Sequence, residues 1–181
     1  MNSPVVGVVK SHAEIAGYAK AARAKSGDDI ILVPVDFSDH SAAALQFAAT
    51  LAESLGAALM VLHVIHDPGE MPGYYSRLVE QTQLERIDDA AEQAFSEFLA
   101  RELDVSPGSL SLRQADAFMV LGLPVTRILE VAEALAPLMV VMGSHGRTGL
   151  DNLIIGSKAA QVVQLCSFPV TIVKSPQPAD E

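Results

Sequence analysis

Short runs of unbroken apolar residues recur along this chain, and each is followed by a helical pattern. Ile30-Ile31-Leu32-Val33 is the first, Ala57 to Ile65 the second, and Leu138 to Met142 and Val170 to Val173 come later. Runs without polar alternation suit parallel strands covered by helices on both faces. A further strand is expected within Leu110 to Leu121, where Gln114-Ala115-Asp116 blurs its edges. The order βαβαβαβαβ predicts a single doubly wound α/β domain, with a parallel five-stranded sheet and right-handed crossovers.

The helices between these strands can be placed from their signals. Asp36-Phe37-Ser38-Asp39 offers turn and N-cap chemistry, and the helix after it is expected to bury Ala44, Phe47, Ala48, Leu51 and Leu55 before Gly56 stops it. His66-Asp67-Pro68-Gly69 and Met71-Pro72-Gly73 mark a loop, and Ser76 to Leu103 a long helix with Leu84, Ile87, Ala91, Ala94 and Phe98 as its stripe. The acids between Glu80 and Glu97 form its wet face. Ser106-Pro107-Gly108 is a turn. Gly122-Leu123-Pro124 opens a short helix carrying Ile128, Val131 and Leu135, and a last helix precedes Val170. Residues 1–27 stand outside the alternation as an extension of unreadable role, although Ile15, Ala19 and Ala22 would share a helical face. The domain then runs over 28–174, and 175–181, with two prolines and two acids, is expected to be a flexible tail.

Composition narrows the function classes. The 181 residues suit one domain, and half are hydrophobic, enough for a substantial core. A formal net charge of −10 argues against a nucleic-acid groove, which needs a basic face. It leaves room for a nucleotide site built from backbone N–H groups. The single cysteine, Cys166, rules out an intramolecular disulfide and reads as a small apolar packing group in a reducing, cytoplasmic compartment. The apolar stretch Pro4 to Val9 is too short for a signal core or a membrane span.

The chemistry concentrates in two places. Gly143-Ser144-His145-Gly146, then nine residues, then Gly156-Ser157 follow the fourth strand. Ligands of parallel α/β sheets sit beyond the carboxyl ends of the strands. Glycines there let backbone N–H groups approach a phosphate or ribose, and Gly156-Ser157 falls where the next helix starts, at an anion-favouring end. With glycine usage near 7%, this spaced triple plus Ser or Thr should arise by chance in fewer than roughly one chain in a hundred. The loop is neither a Walker A motif nor a dinucleotide fingerprint. The second place is Pro34-Val35-Asp36-Phe37-Ser38, where Asp36 ends the first strand. If the first and fourth strands are neighbours, its carboxylate shares the crevice with the glycine loop, where it could bond ribose hydroxyls or hold a metal ion through water. Alone, Asp36 reads as an N-cap or Asx-turn residue.

Val33-Pro34-Val35-Asp36-Phe37-Ser38, Leu62-His63-Val64-Ile65, Gly122-Leu123-Pro124 and Met142-Gly143-Ser144-His145-Gly146 with Gly156-Ser157 together resemble the universal stress proteins, over Asp28 to Lys174. The resemblance implies an adenine nucleotide alpha hydrolase-like fold with strand order 3-2-1-4-5. The glycine pattern resembles the family's ATP-binding version, and members without it typically do not bind ATP. By resemblance Asp36 contacts the ribose or metal side of ATP, with Mg or Mn as the metal. Val64 meets adenine through its backbone, and Pro34 and Val35 line the base pocket. Met142 and Gly143 lie near the ribose, and His145, Gly146, Gly156 and Ser157 surround the phosphates. Lys158 adds a phosphate contact or points to solvent. The resemblance also implies a homodimer through the last strand.

Other residues carry less. His63 and His66 are an odd number apart, so along one strand they face opposite ways and a shared metal is disfavoured. Three functions therefore compete. A nucleotide-dependent stress-response module is favoured, because the crevice offers binding groups but no catalytic set. A slow ATPase or phosphotransferase could draw part of its chemistry from Asp36, Ser157 and His145, but no dedicated arginine finger or general base stands out, although Arg147 lies in the loop. An interaction protein would use the loop only as a turn.

Overall fold

The apolar runs become the strands, and the segments between them the helices. In chain order the computed structural model has β1 (Val6–Val8), α1 (His12–Ser26), β2 (Ile30–Val35), α2 (Asp39–Leu55), β3 (Ala58–Ile65), α3 (Gln81–Val105), α4 (Leu110–Gln114), β4 (Asp116–Leu121), α5 (Pro124–Leu135), β5 (Met139–Gly143), α6 (Ser157–Leu165) and β6 (Val170–Val173). The structure describes residues 6–8, 12–26, 29–65, 81–146 and 155–175. The expected loop from His66, the start of the long helix at Ser76, Arg147 and the tail beyond Ser175 lie outside these. So do the side chains of Leu84 and Ile87.

Every residue of β2 is buried, as a strand with helices on both faces must be. It pairs in parallel with β3, from Ile30 opposite Ala58 to Val35 opposite His63. On its other side it pairs in parallel with β5, Ile31 opposite Met139 and Leu32 opposite Val140. β4 continues the sheet beyond β3, and β6 beyond β5. These five strands stand in the expected order 3-2-1-4-5. The addition is β1, parallel to β4 with Val6 opposite Ala117, so that the sheet reads β1-β4-β3-β2-β5-β6.

Alternate strand residues feed two core layers. Ile31, Val33 and Val35 meet α2, α3 and α4, whereas Ile30 and Leu32 meet α1, α5 and α6. α2 is seated differently from expectation. Its buried residues are Ser41, Ala44, Leu45, Ala48, Ala49 and Ala52, while Phe47 and Leu55 are 45% and 49% exposed. The alanines bring the helix close to the sheet and leave the larger side chains on its flanks. α3 buries Phe95, Phe98 and Leu99, with Ala91 and Ala94 half-buried. The buried Glu102 accepts from the Gln46 amide at 2.9 Å, tying α3 to α2.

The expected third strand lies within Leu110 to Leu121, in the second half of that span. The Ser109 hydroxyl accepts from the Leu112 N–H at 3.3 Å and starts α4 instead, so β4 opens only at Asp116. Glu53 of α2 fixes this turn, accepting from the Ser109 hydroxyl at 2.6 Å and the Ser111 N–H at 3.2 Å. The Ser109 bond first, and then the backbone N–H groups, hold the Glu53 carboxyl below its ordinary value.

The N-terminal residues acquire a role in packing. Ile15 is buried in the core layer shared with α5 and α6. The Tyr18 ring stacks on Phe118 with centroids 5.3 Å apart, and the Arg23 guanidinium donates to the Leu135 carbonyl at 2.5 Å. Among the described residues no helix is long and apolar enough to cross a membrane. Ile15→Ala should cost about 2–5 kcal/mol, the usual range for such a buried truncation, read as a lower urea midpoint at unchanged slope. An unmoved midpoint would show that α1 does not contribute to the core.

Candidate functional site

β2 and β5 are adjacent and parallel, so their carboxyl ends open on the same side. The chain leaves β2 toward β3 on one flank and returns to β5 on the other. Between them lies the switch point where doubly wound sheets hold ligands. Asp36 follows β2 and Gly143-Ser144-His145-Gly146 ends β5. The two stretches meet there: a Cβ placed on Gly146 would lie 2.5 Å from Asp36 Oδ2.

Of the two local readings of Asp36, the Asx turn is present and the N-cap role falls to Ser38 instead. Oδ1 accepts from the Ser38 hydroxyl at 2.6 Å and the Ser38 N–H at 3.2 Å, an Asx turn. Ser38 in turn caps α2, accepting from the Ser41 N–H at 3.2 Å. Oδ2 is the oxygen set against Gly146. Phe37, between Asp36 and the cap, has φ 68°, in the left-handed region. That conformation costs a bulky L-residue roughly 1–2 kcal/mol and concentrates at functional sites.

The glycines divide by role. Gly146 is exposed at the crevice. Gly143 is buried, and a Cβ on it would fall 2.7 Å from the His40 carbonyl carbon and 2.8 Å from its oxygen. The first turn of α2 occupies that space, so Gly143 has a packing reason of its own. Gly156 caps α6 without any side-chain bond, and its carbonyl accepts from the Ala160 N–H at 2.9 Å. The first N–H groups of α6 therefore have no acceptor within the helix, at its positive end. Ser157 and Lys158 are exposed on that turn.

Ser144 closes the loop at its base. It is 1% exposed, its N–H donates to the Val173 carbonyl at 2.8 Å, and its carbonyl accepts from the Gly156 N–H at 2.7 Å. The two ends of the glycine pattern are thereby joined to each other. The His145 Nδ1 is 3.1 Å from the Ser144 hydroxyl, and its ring lies 5.2 Å from that of His40. His40 Nδ1 accepts from the Ser175 N–H at 3.2 Å. Nothing in the sequence marks His40, since a histidine in a first helical turn reads as any polar residue.

The remaining expected residues lie around this point. β3 outlasts β2, whose last partner is His63, so Val64 stands half-buried just beyond the end of β2. Pro34 is buried, and the Val35 and Met142 side chains belong to opposite core layers, leaving main chain as what they bring to the crevice. His66 lies outside the described residues. Among those described, no three His, Cys, Asp or Glu side chains gather as metal ligands.

Against known proteins, the model of the universal stress protein family matches residues 29–174. The chain belongs to the universal stress protein family. This universal stress protein is 32% identical over 149 residues to universal stress protein YxiE of Bacillus subtilis, covering 80% of this chain and 97% of that one. The solved universal stress protein UspA of Lactobacillus plantarum superposes with a TM-score of 0.66 at 25% identity, over 80% of this chain and 97% of the other. A universal stress protein solved in complex with cAMP has the same fold, with a TM-score of 0.58 at 19% identity over 82% of this chain and 98% of the other.

The two loop glycines of this universal stress protein should separate by experiment. Gly143→Ala drives a methyl into fixed backbone and should destabilise by about 1–3 kcal/mol. Gly146→Ala meets only a carboxylate that can swing, and should stay within about 0.5 kcal/mol. Urea unfolding of both variants checks this, and the reverse ranking would contradict the assignment.

Proposed function

We propose that this universal stress protein binds ATP in the crevice between β2 and β5 and works in the cytoplasm as a nucleotide-dependent stress-response module. The observation that carries the reading is the placement of Gly146 against Asp36, with Gly156 opening α6 beside the same loop. In this reading Asp36 takes the ribose hydroxyls, or a Mg or Mn ion through water. The backbone N–H groups of His145 and Gly146 and of the first turn of α6 take the phosphates. Ser157 adds a hydroxyl there and Lys158 a charge. The main chain at Val64 takes the edge of the adenine above Pro34 and Val35, and Met142 and Gly143 lie near the ribose. The relative solved with cAMP supports an adenine nucleotide as the ligand class.

Calorimetric titration with ATP and Mg²⁺ tests this. One saturable site is expected, with unfolding raised by about 2.7 kcal/mol at a hundredfold excess over Kd. Absence of both heat and stabilisation would remove the reading.

The same proposal includes a homodimer. β6 ends the sheet, and its four residues are only half-buried within one chain. An open edge of this kind is protected by pairing, here with a second copy about a two-fold axis. Light scattering at micromolar concentration should give a dimer mass; a monomer mass would contradict the pairing.

A further inference from the structure

We propose that His63 is a positioning residue which holds Asp36 in place for the nucleotide, an inference that rests on the ATP reading above. Asp36 sits in a turn the chain would not adopt unaided, because the next residue, Phe37, is held at φ 68°. Both sides of that turn are gripped from β3 by one side chain. His63 stands opposite Val35 in the sheet register, and its Nδ1 lies 2.8 Å from the Val35 carbonyl oxygen. A carbonyl only accepts, so Nδ1 carries the proton and pins the peptide that leads into Asp36. The same imidazole stacks on the Phe37 ring, centroids 4.2 Å apart and planes 24° from parallel.

Beneath this pair Phe37 packs against Phe95 at 5.7 Å and Phe98 at 5.4 Å, and His63 lies 6.0 Å from Phe95. The ring at 37 is thus seated on an aromatic floor from α3, and the left-handed backbone follows from that seat. With the peptide before Asp36 bonded and the ring after it stacked, the backbone at Asp36 is set so that Oδ1 bonds Ser38 and Oδ2 faces Gly146. Side chains alternate along a strand, so His63 points away from the face of its neighbour Val64. It acts on the ligand through Asp36 and makes no contact of its own with it.

The test is a double-mutant cycle read by calorimetric titration with ATP and Mg²⁺. His63→Phe keeps the ring and loses the donor, whereas His63→Asn keeps a donor near the Nδ1 position. His63→Phe is expected to weaken ATP binding about tenfold, His63→Asn to restore most of it, and His63→Phe to add less than about twofold in an Asp36→Asn background. An undiminished loss in that background would show that His63 acts on the fold at large, and would overturn the proposal. Should His63→Phe not fold, His63→Gln, with its amide set one bond further out, takes its place. If the parent protein binds no ATP, the nucleotide reading falls on that result, and with it the purpose assigned to His63. The Ser38 amide resonance of the ligand-free protein then decides the structural half. It should move in His63→Phe and hold in His63→Asn, and an unmoved resonance would show that His63 does not hold the turn.

Discussion

The pairing of β2 with β5 is the interaction from which the rest of the molecule follows. Two strands far apart in sequence lie side by side in one direction, Ile31 and Leu32 against Met139 and Val140. Their equal heading delivers the Asp36 turn and the glycine loop to the same end of the sheet. The alternating core layers above and below make the pairing rigid, because Ile30 to Val33 and Val35 are each committed to one helix layer or the other.

The strands were legible because a parallel strand buried on two faces has no polar positions to hide its signal. The helix faces were less so. On α2, Ala44 and Ala48 fit more than one apolar stripe, and only the distance to the sheet decides that Leu45, Ala49 and Ala52 turn inward rather than Phe47 and Leu55. The segment from Leu110 looks extended by composition, yet a single hydroxyl at Ser109, held by Glu53, winds its first turn. β1 has three residues, too few for any period.

At the candidate site the loop and Asp36 could be found from residue type and spacing, since glycines after a buried strand carry their own meaning. Their meeting could not be read from spacing alone, which does not state which strands are neighbours; it came from the family resemblance, whose strand order 3-2-1-4-5 sets β2 beside β5. His63 and His40 were opaque for another reason. Each matters through a main-chain atom, the Val35 carbonyl and the Ser175 N–H, and backbone partners leave no trace in residue identity. The acidic composition is consistent with this style of construction. In the proposed reading, a chain of net charge −10 would take an anion with oriented peptide groups, which charge counting does not register.

Gly143 and Gly146 look alike in a motif but answer to different demands, one to the backbone of α2 and one to the crevice. A lineage that gave up its ligand would be released at position 146 and still be constrained at 143. The first glycine of the pattern therefore testifies to how a helix is docked, and only the second would testify to the proposed ligand.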